Sequence, residues 1–135
     1  MQSMAADFGW TGKTPSEFDS LAVPGNKECI VANTAKKETV TIAAITNKGA
    51  VEFTHDGKGE GVAPIKIVGF PAYTFVPKTA VGGDCDVLVD VADGQMLYVA
   101  WGVQVSTGAA VPPPEERCAN ATKVAEGAMK VLGAS

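Results

Sequence analysis

The stretch that most constrains this fold covers residues 84–105 and reads DCDVLVDVADGQMLYVAWGVQV. Two apolar, β-rich runs flank Asp93-Gly94, a dipeptide that supplies the positive φ angles of a two-residue hairpin turn. A regular hairpin about that turn sets Ala92 opposite Gln95, Val91 opposite Met96, Val89 opposite Tyr98 and Val87 opposite Ala100, with Cys85 near Gly102. Side chains alternate between faces with period two. One face then carries Cys85, Val87, Val89, Val91, Met96, Tyr98 and Ala100. The other carries Asp86, Leu88, Asp90, Leu97, Val99, Trp101, Val103 and Val105. Both faces are apolar over much of their length, whereas a hairpin with one wet side alternates cleanly. The expectation is a central hairpin covered by a helix on one face and at least partly covered on the other.

The best candidate for that helix is residues 115–132. Glu115 and Glu116 complement its positive N-terminal end and Lys130 its C-terminal end. Cys118, Ala121, Ala125, Ala128 and Leu132 make one narrow stripe, with Val124 and Met129 at its margins. Such small residues let the helix axis approach a sheet closely, so the stripe is expected on the face of Cys85, Val87, Val89 and Tyr98. Gly133 suits the position just past a helix end, and Pro112-Pro113-Pro114 reads as a stiff spacer before its start. At the other end of the chain, Thr14-Pro15-Ser16-Glu17 has the form of a capping box with proline at N1. It predicts a short helix ended by Pro24-Gly25, with Phe18, Leu21 and Ala22 on one face.

Between these helices, residues 29–33 and 38–45 read as strands. Val40, Ile42 and Ala44 share one face of the second, and Thr39, Thr41 and Ala43 the other. Asn47-Lys48-Gly49 reads as a turn, with residues 50–54 returning to complete a second hairpin. Residues 56–61, DGKGEG, read as an exposed loop because three glycines oppose regular structure. Residues 65–68 and 72–76 are apolar strands broken at Gly69-Phe70-Pro71, which suggests a bulge or tight corner. Residues 77–83 lead into the central hairpin. The order predicts an α+β domain: a mostly antiparallel sheet of six or seven strands, with a short N-terminal and a long C-terminal helix packed on it. Residues 1–13 read as an arm, with two methionines as in a trimmed precursor, and residues 14–135 as a single domain.

Composition narrows the function classes. At 46% hydrophobic and 19% charged residues the chain is globular rather than disordered. A net charge of −4 disfavours nucleic acid, which needs a basic footprint, and adsorption to anionic lipid. No apolar run reaches membrane-spanning length. Three widely spaced cysteines and one histidine do not make a zinc site. The cysteines fit either a disulfide plus one odd thiol outside the cytoplasm or three buried free thiols inside it.

The candidates for chemistry are few. Asp84, Asp86, Asp90 and Asp93 suggest a cation site, but Asp86 and Asp90 stand roughly 13 Å apart on a strand, and solvated edge charges explain them better. His55-Asp56 is the one recognisable acid/base candidate. No G-x-S-x-G elbow accompanies it, and the glycines of residues 57–61 lack the strand-to-helix context of a phosphate loop. No catalytic residue and no metal or other cofactor is assigned. Asn120-Ala121-Thr122 matches a glycosylation sequon but falls inside the predicted helix. Tyr98, Trp101 and Tyr73 are the aromatics able to line a ligand pocket, although such residues more commonly build core.

Several segments carry a resemblance: IVGFPAY (67–73), GDCDVLVDV (83–91), GQMLYV (94–99), CANATKVA (118–125), and TPSEFDSL (14–21) followed by Cys29. Together they resemble an uncharacterised family of small actinobacterial, mycobacterial-type lipoproteins of the cell envelope, a domain of unknown function. The chain departs from that pattern near Asp7 and Phe8, where the family has a further cysteine, and at Val31, where it has tryptophan. The resemblance implies export, lipid anchoring and an envelope role, and brings no assigned catalytic residues. It implies an extracytoplasmic, non-enzymatic binding or interaction module. Its partner is an envelope protein or a small apolar ligand, and it touches membrane only through a lipid anchor. A sensor or carrier holding an apolar ligand between sheet and helix is the alternative, and an enzyme using His55 the third. Taken with the shared face predicted above, the family's absent cysteine points to a Cys85–Cys118 disulfide with Cys29 free, and Cys29–Cys118 as the rival. A bridge closing about 33 residues stabilises by about 3–4 kcal/mol in the chain-entropy account.

Overall fold

The structure is a computed structural model that describes residues 16–20, 23–33, 37–55, 59–77, 84–103 and 110–133. The arm of residues 1–13, Thr14 and Pro15 of the capping box, Leu21 and Ala22, and the loops at 56–58, 78–83 and 104–109 lie outside them.

Seven strands form one sheet: β1 (Ser16–Asp19), β2 (Lys27–Asn33), β3 (Glu38–Ile45), β4 (Gly59–Ile67), β5 (Phe70–Pro77), β6 (Asp84–Ala92) and β7 (Gln95–Val103). Helix α1 (Ala50–His55) stands between β3 and β4, and α2 (Pro114–Val131) follows β7. The sheet order is β1-β2-β3-β7-β6-β5-β4, with every neighbouring pair antiparallel. It consists of two meanders joined where β3 meets β7. The chain leaves β3 at the middle of the sheet and re-enters at the far edge as β4, and α1 lies in that crossing. The architecture is α+β, with α2 packed on β6 and β7.

The central hairpin turns at Asp93-Gly94, where Gly94 has φ +69°. Its register differs from the regular one by a bulge. Ala92 faces Gln95, but Asp90 faces Met96, Leu88 faces Tyr98, Asp86 faces Ala100 and Cys85 faces Trp101, with Val91 left over between Asp90 and Ala92. One extra residue in a strand reverses the parity of everything beyond it. Cys85, Val87 and Val89 therefore share a face with Leu97, Val99 and Trp101, while Asp86 and Leu88 share the other with Met96, Tyr98 and Ala100. The expected Tyr98 contact with α2 is corrected accordingly.

Against the first face, α2 buries Ala121, Val124, Ala125, Ala128 and Met129, with Val31 and Val40 of β2 and β3 extending the same core. The small-residue stripe behaves as expected except at Leu132, which is 66% exposed beyond the last turn. There the helix ends on the N–H of Gly133, φ +90°, bonded to the Lys130 carbonyl. The second face holds Val23, Ala43, Ile45, Phe75, Leu88, Met96 and Tyr98, capped by Ala50 and Phe53 of α1.

Three further expectations are corrected. Residues 16–19 are an edge strand, not a helix, and among the described residues the short helix is α1. The local helix signal loses to tertiary pairing, Glu17 with Cys29 and Asp19 with Lys27. Pro24-Gly25 lies in the turn between β1 and β2. Buried Asn26 stitches that turn to the end of β3, donating to the carbonyl of Val23 and to Asn47 Oδ1 while its Oδ1 accepts from the Thr46 N–H. Residues 50–55 form α1 rather than a returning strand. Ala50 and Phe53, three apart, both reach the sheet, a spacing that suits helix as well as strand over so few residues. The glycine-rich stretch enters β4 at Gly59, with an irregularity between Glu60 and Ala63. An edge position accommodates both that irregularity and Pro64. The corner after β4 is a two-residue turn at Val68-Gly69, both at positive φ, and Ile67 pairs Phe70 across it.

Candidate functional site

The disulfide sets the parity of the site. Cys85 points to the first face and bridges Cys118 at the start of α2, with their Cα atoms 5.1 Å apart. Alternation then sends Asp84 and Asp86 to the opposite face. Asp84 keeps an exposed surface at the strand end, whereas Asp86 is 4% exposed and flanked across the ladders by Phe75 on β5 and Ala100 on β7. The expectation that these aspartates are solvated edge charges holds for Asp84 and Asp93 and fails for Asp86.

Asp86 is only half satisfied. The Tyr98 hydroxyl donates to its Oδ2 at 2.9 Å, and its Oδ1, buried, has no partner among the described residues. Burial dominates its titration and pushes the carboxyl up to about 7, against the pull of the Tyr98 hydrogen bond and with the help of the Asp84 charge. Tyr98 is pushed strongly upward by its own burial and then by Asp86, so its phenol stays protonated and acts as donor. The Asp84 carboxyl is raised by partial burial and drawn back down by the Arg117 guanidinium. Arg117, 8% exposed and next to Cys118, donates through Nη1 to the Asp84 carbonyl at 3.2 Å, and its buried Nε has no partner.

Aromatic rings wall this face. Phe53 lies 5.7 Å from Phe75 and 6.0 Å from Tyr98 between ring centroids, both pairs tilted, and Lys48 Nζ sits 5.8 Å above the Phe53 ring. Tyr73, half-buried on β5 opposite Leu88, borders the same cluster. Tyr98 and Tyr73 thus come together. Trp101 stands apart on the first face, opposite Cys85, with Nε1 donating to Glu38 Oε2 at 3.4 Å. Cys29 is a half-buried free thiol on β2, paired with Ile42. His55 is the last residue of α1, and its side chain lies outside the described set.

The sequence marks Asp86 as a solvated edge charge and does not single out Arg117, Phe53 and Phe75. The readable signal for Asp86 is a carboxylate inside a run too apolar for a wet face; its pairing with Tyr98 depends on the bulge. Chemically, the arrangement is a desolvated acceptor oxygen beside a cluster of aromatic side chains.

Residues 14–130 match a family model described as "Protein of unknown function (DUF3558)". No curated protein matches the chain.

Proposed function

The chain belongs to the DUF3558 family, and from that premise we propose that it is an exported, lipid-anchored, non-enzymatic binding module of an actinobacterial cell envelope. It meets its partner at the α1 side of the sheet, around Asp84 and Asp86. The observation that carries the binding role is Asp86: a carboxyl taken out of water, held on one oxygen by Tyr98 and, among the described residues, without a partner on the other, which is also buried. A protein core rarely retains such a group without a use for it. Export is supported by the Cys85–Cys118 bridge, since disulfides persist in oxidising compartments and are rare in the cytosol. The first face has the opposite character: α2 closes it with small apolar side chains, which suits a structural role.

The test is in-cell photo-crosslinking in an actinobacterial host, using a tagged full-length precursor with the photoreactive residue at Tyr73 or, as control, at Lys123 on the outer side of α2. The proposal expects envelope fractionation, alkylation of Cys29 alone under denaturing non-reducing conditions, and a discrete crosslink from position 73 but not 123. A cytosolic protein with all three thiols labelled overturns it, and so do equal crosslinks from both positions.

One observation favours a second reading, a carrier of a small apolar ligand. The tilted Phe53, Phe75 and Tyr98 rings form an aromatic cluster under a helix of only six residues, so the ligand would sit beneath α1 rather than α2. Native mass spectrometry of protein from its host distinguishes the two, a co-purifying lipid mass favouring the carrier.

A further inference from the structure

We propose that Asp86, two residues along the strand from the exposed Asp84, is the receptor for a positively charged N–H donor, an ammonium or guanidinium group carried by a basic side chain of the partner. The inference rests on the binding-module reading and names the chemistry of its site.

A buried carboxylate oxygen with no donor carries a large desolvation penalty, so Asp86 either holds a proton or takes a partner. Among the described residues its one donor is the Tyr98 hydroxyl, which bonds Oδ2, while Oδ1 is buried without a partner. A cationic N–H satisfies Oδ1 and neutralises the charge together, and charge-assisted bonds of this kind are roughly twice as strong as neutral ones. Asp84 supplies the approach. It lies two residues away on the same strand face, is exposed, and its charge is felt at Asp86. Phe75 stands opposite Asp86 on β5 and Tyr98 meets it through its hydroxyl; aromatic ring faces in general attract cations, as the position of Lys48 over Phe53 illustrates within the same cluster.

Among the described residues, the following groups act on the site. Asp84 faces Asp86 from β6, and Tyr98 from β7. Arg117 of α2 acts on Asp84 from the strand end, and Glu28 of β2 acts on Tyr98. Phe75 of β5 and Phe53 of α1 bring no charge. Because the Asp86 carboxyl is raised to about 7, a proton competes with the cation. Binding therefore releases a proton from Asp86 and strengthens as pH rises through 7.

The experiment titrates the folded protein with ethylguanidinium or ethylammonium chloride, with sodium chloride at equal ionic strength as control. Backbone amides of β6 and β7 are followed by NMR at pH 5.5 and pH 8. The proposal expects saturable shifts at Asp86, Val87 and Ala100 with either or both organic cations and none with sodium. Affinity should be at least tenfold weaker at pH 5.5, and the shifts should be lost in Asp86→Asn. Asp84→Asn should weaken binding while leaving the fold intact. Comparing the two probes tells whether an arginine-like or lysine-like group is preferred. The absence of saturable shifts at pH 8 in the well-folded protein overturns the inference, as does binding that survives in a well-folded Asp86→Asn. Neither result touches the crosslinking test of the binding-module reading.

Discussion

The two faces of the sheet are built from the same strands in alternation, and they are finished differently. The first face is closed by α2. Its side chains are small or aliphatic, its helix is stapled by Cys85–Cys118, and Trp101 has an acceptor in Glu38. The second face is closed by the six-residue α1 and keeps a buried carboxyl, a buried phenol and a knot of rings. The difference separates a face closed by helix packing and a disulfide from one that, in the proposed reading, is used for recognition. Each face keeps one buried polar atom without a partner among the described residues: Arg117 Nε on α2, next to the staple, and Asp86 Oδ1 on the second face, one residue along from Cys85.

That contrast is sharpest under substitution. Ala125 is fully buried against the first face, so Ala125→Glu places a charge with no partner in an apolar interface, and loss of the folded state is expected. Circular dichroism checks it, and a cooperative thermal transition in the variant would break the picture of a sealed face.

Next in size is the pH dependence owed to the second face. The folded carboxyl of Asp86 lies near 7 against an ordinary 3.8, so the native state holds a proton that the unfolded chain has lost. The resulting stability is fully present below about pH 4, declines as pH rises, and is gone above about pH 7. A shift of that size corresponds to about 4 kcal/mol. Urea unfolding at pH 4.5 and pH 8 should show it, and Asp86→Asn should flatten the slope.

Reduction, or Cys118→Ser, should remove about 3–4 kcal/mol through the chain entropy of the opened loop. Its effect should be the same at both pH values, because the staple belongs to the other face. Tyr98→Phe deletes the hydroxyl that holds Asp86, at roughly 1–3 kcal/mol for a buried acceptor left unmatched. It should also raise the Asp86 carboxyl further, since that hydrogen bond favours the charged form. Leu132→Ala, on an exposed residue outside both cores, should change stability by less than about 0.5 kcal/mol.

The asymmetry also explains what could be read from the residues. The Asp93-Gly94 turn, the strand at residues 38–45 and the small-residue stripe of α2 are local chemistry: a dipeptide, a two-residue period and a helical period. Each stands as the sequence implies. The Cys85–Cys118 pairing follows from the start of β6 meeting the start of α2, and the structure contains it. What was not legible depends on non-local competition. Glu17 and Asp19 pair with β2 instead of continuing a helix from a good cap. Ala50 and Phe53 form a helical turn because the chain must cross from the middle of the sheet to its edge. The bulge at Val91 has no sequence mark of its own, yet it moves Tyr98 to the face of Asp86 and creates the pair at the centre of the candidate site. Asp86 was visible as a residue and hidden as a buried one, because its burial depends on that parity.

The account turns on the state of one carboxyl group. Its most direct test is the NMR titration of the Asp86 side-chain carboxyl carbon from pH 3 to pH 9 in the folded, oxidised protein. A midpoint near 7, moving upward in Tyr98→Phe, is the predicted result. A midpoint near the ordinary aspartate value of about 4, unmoved by removing the Tyr98 hydroxyl, would contradict it.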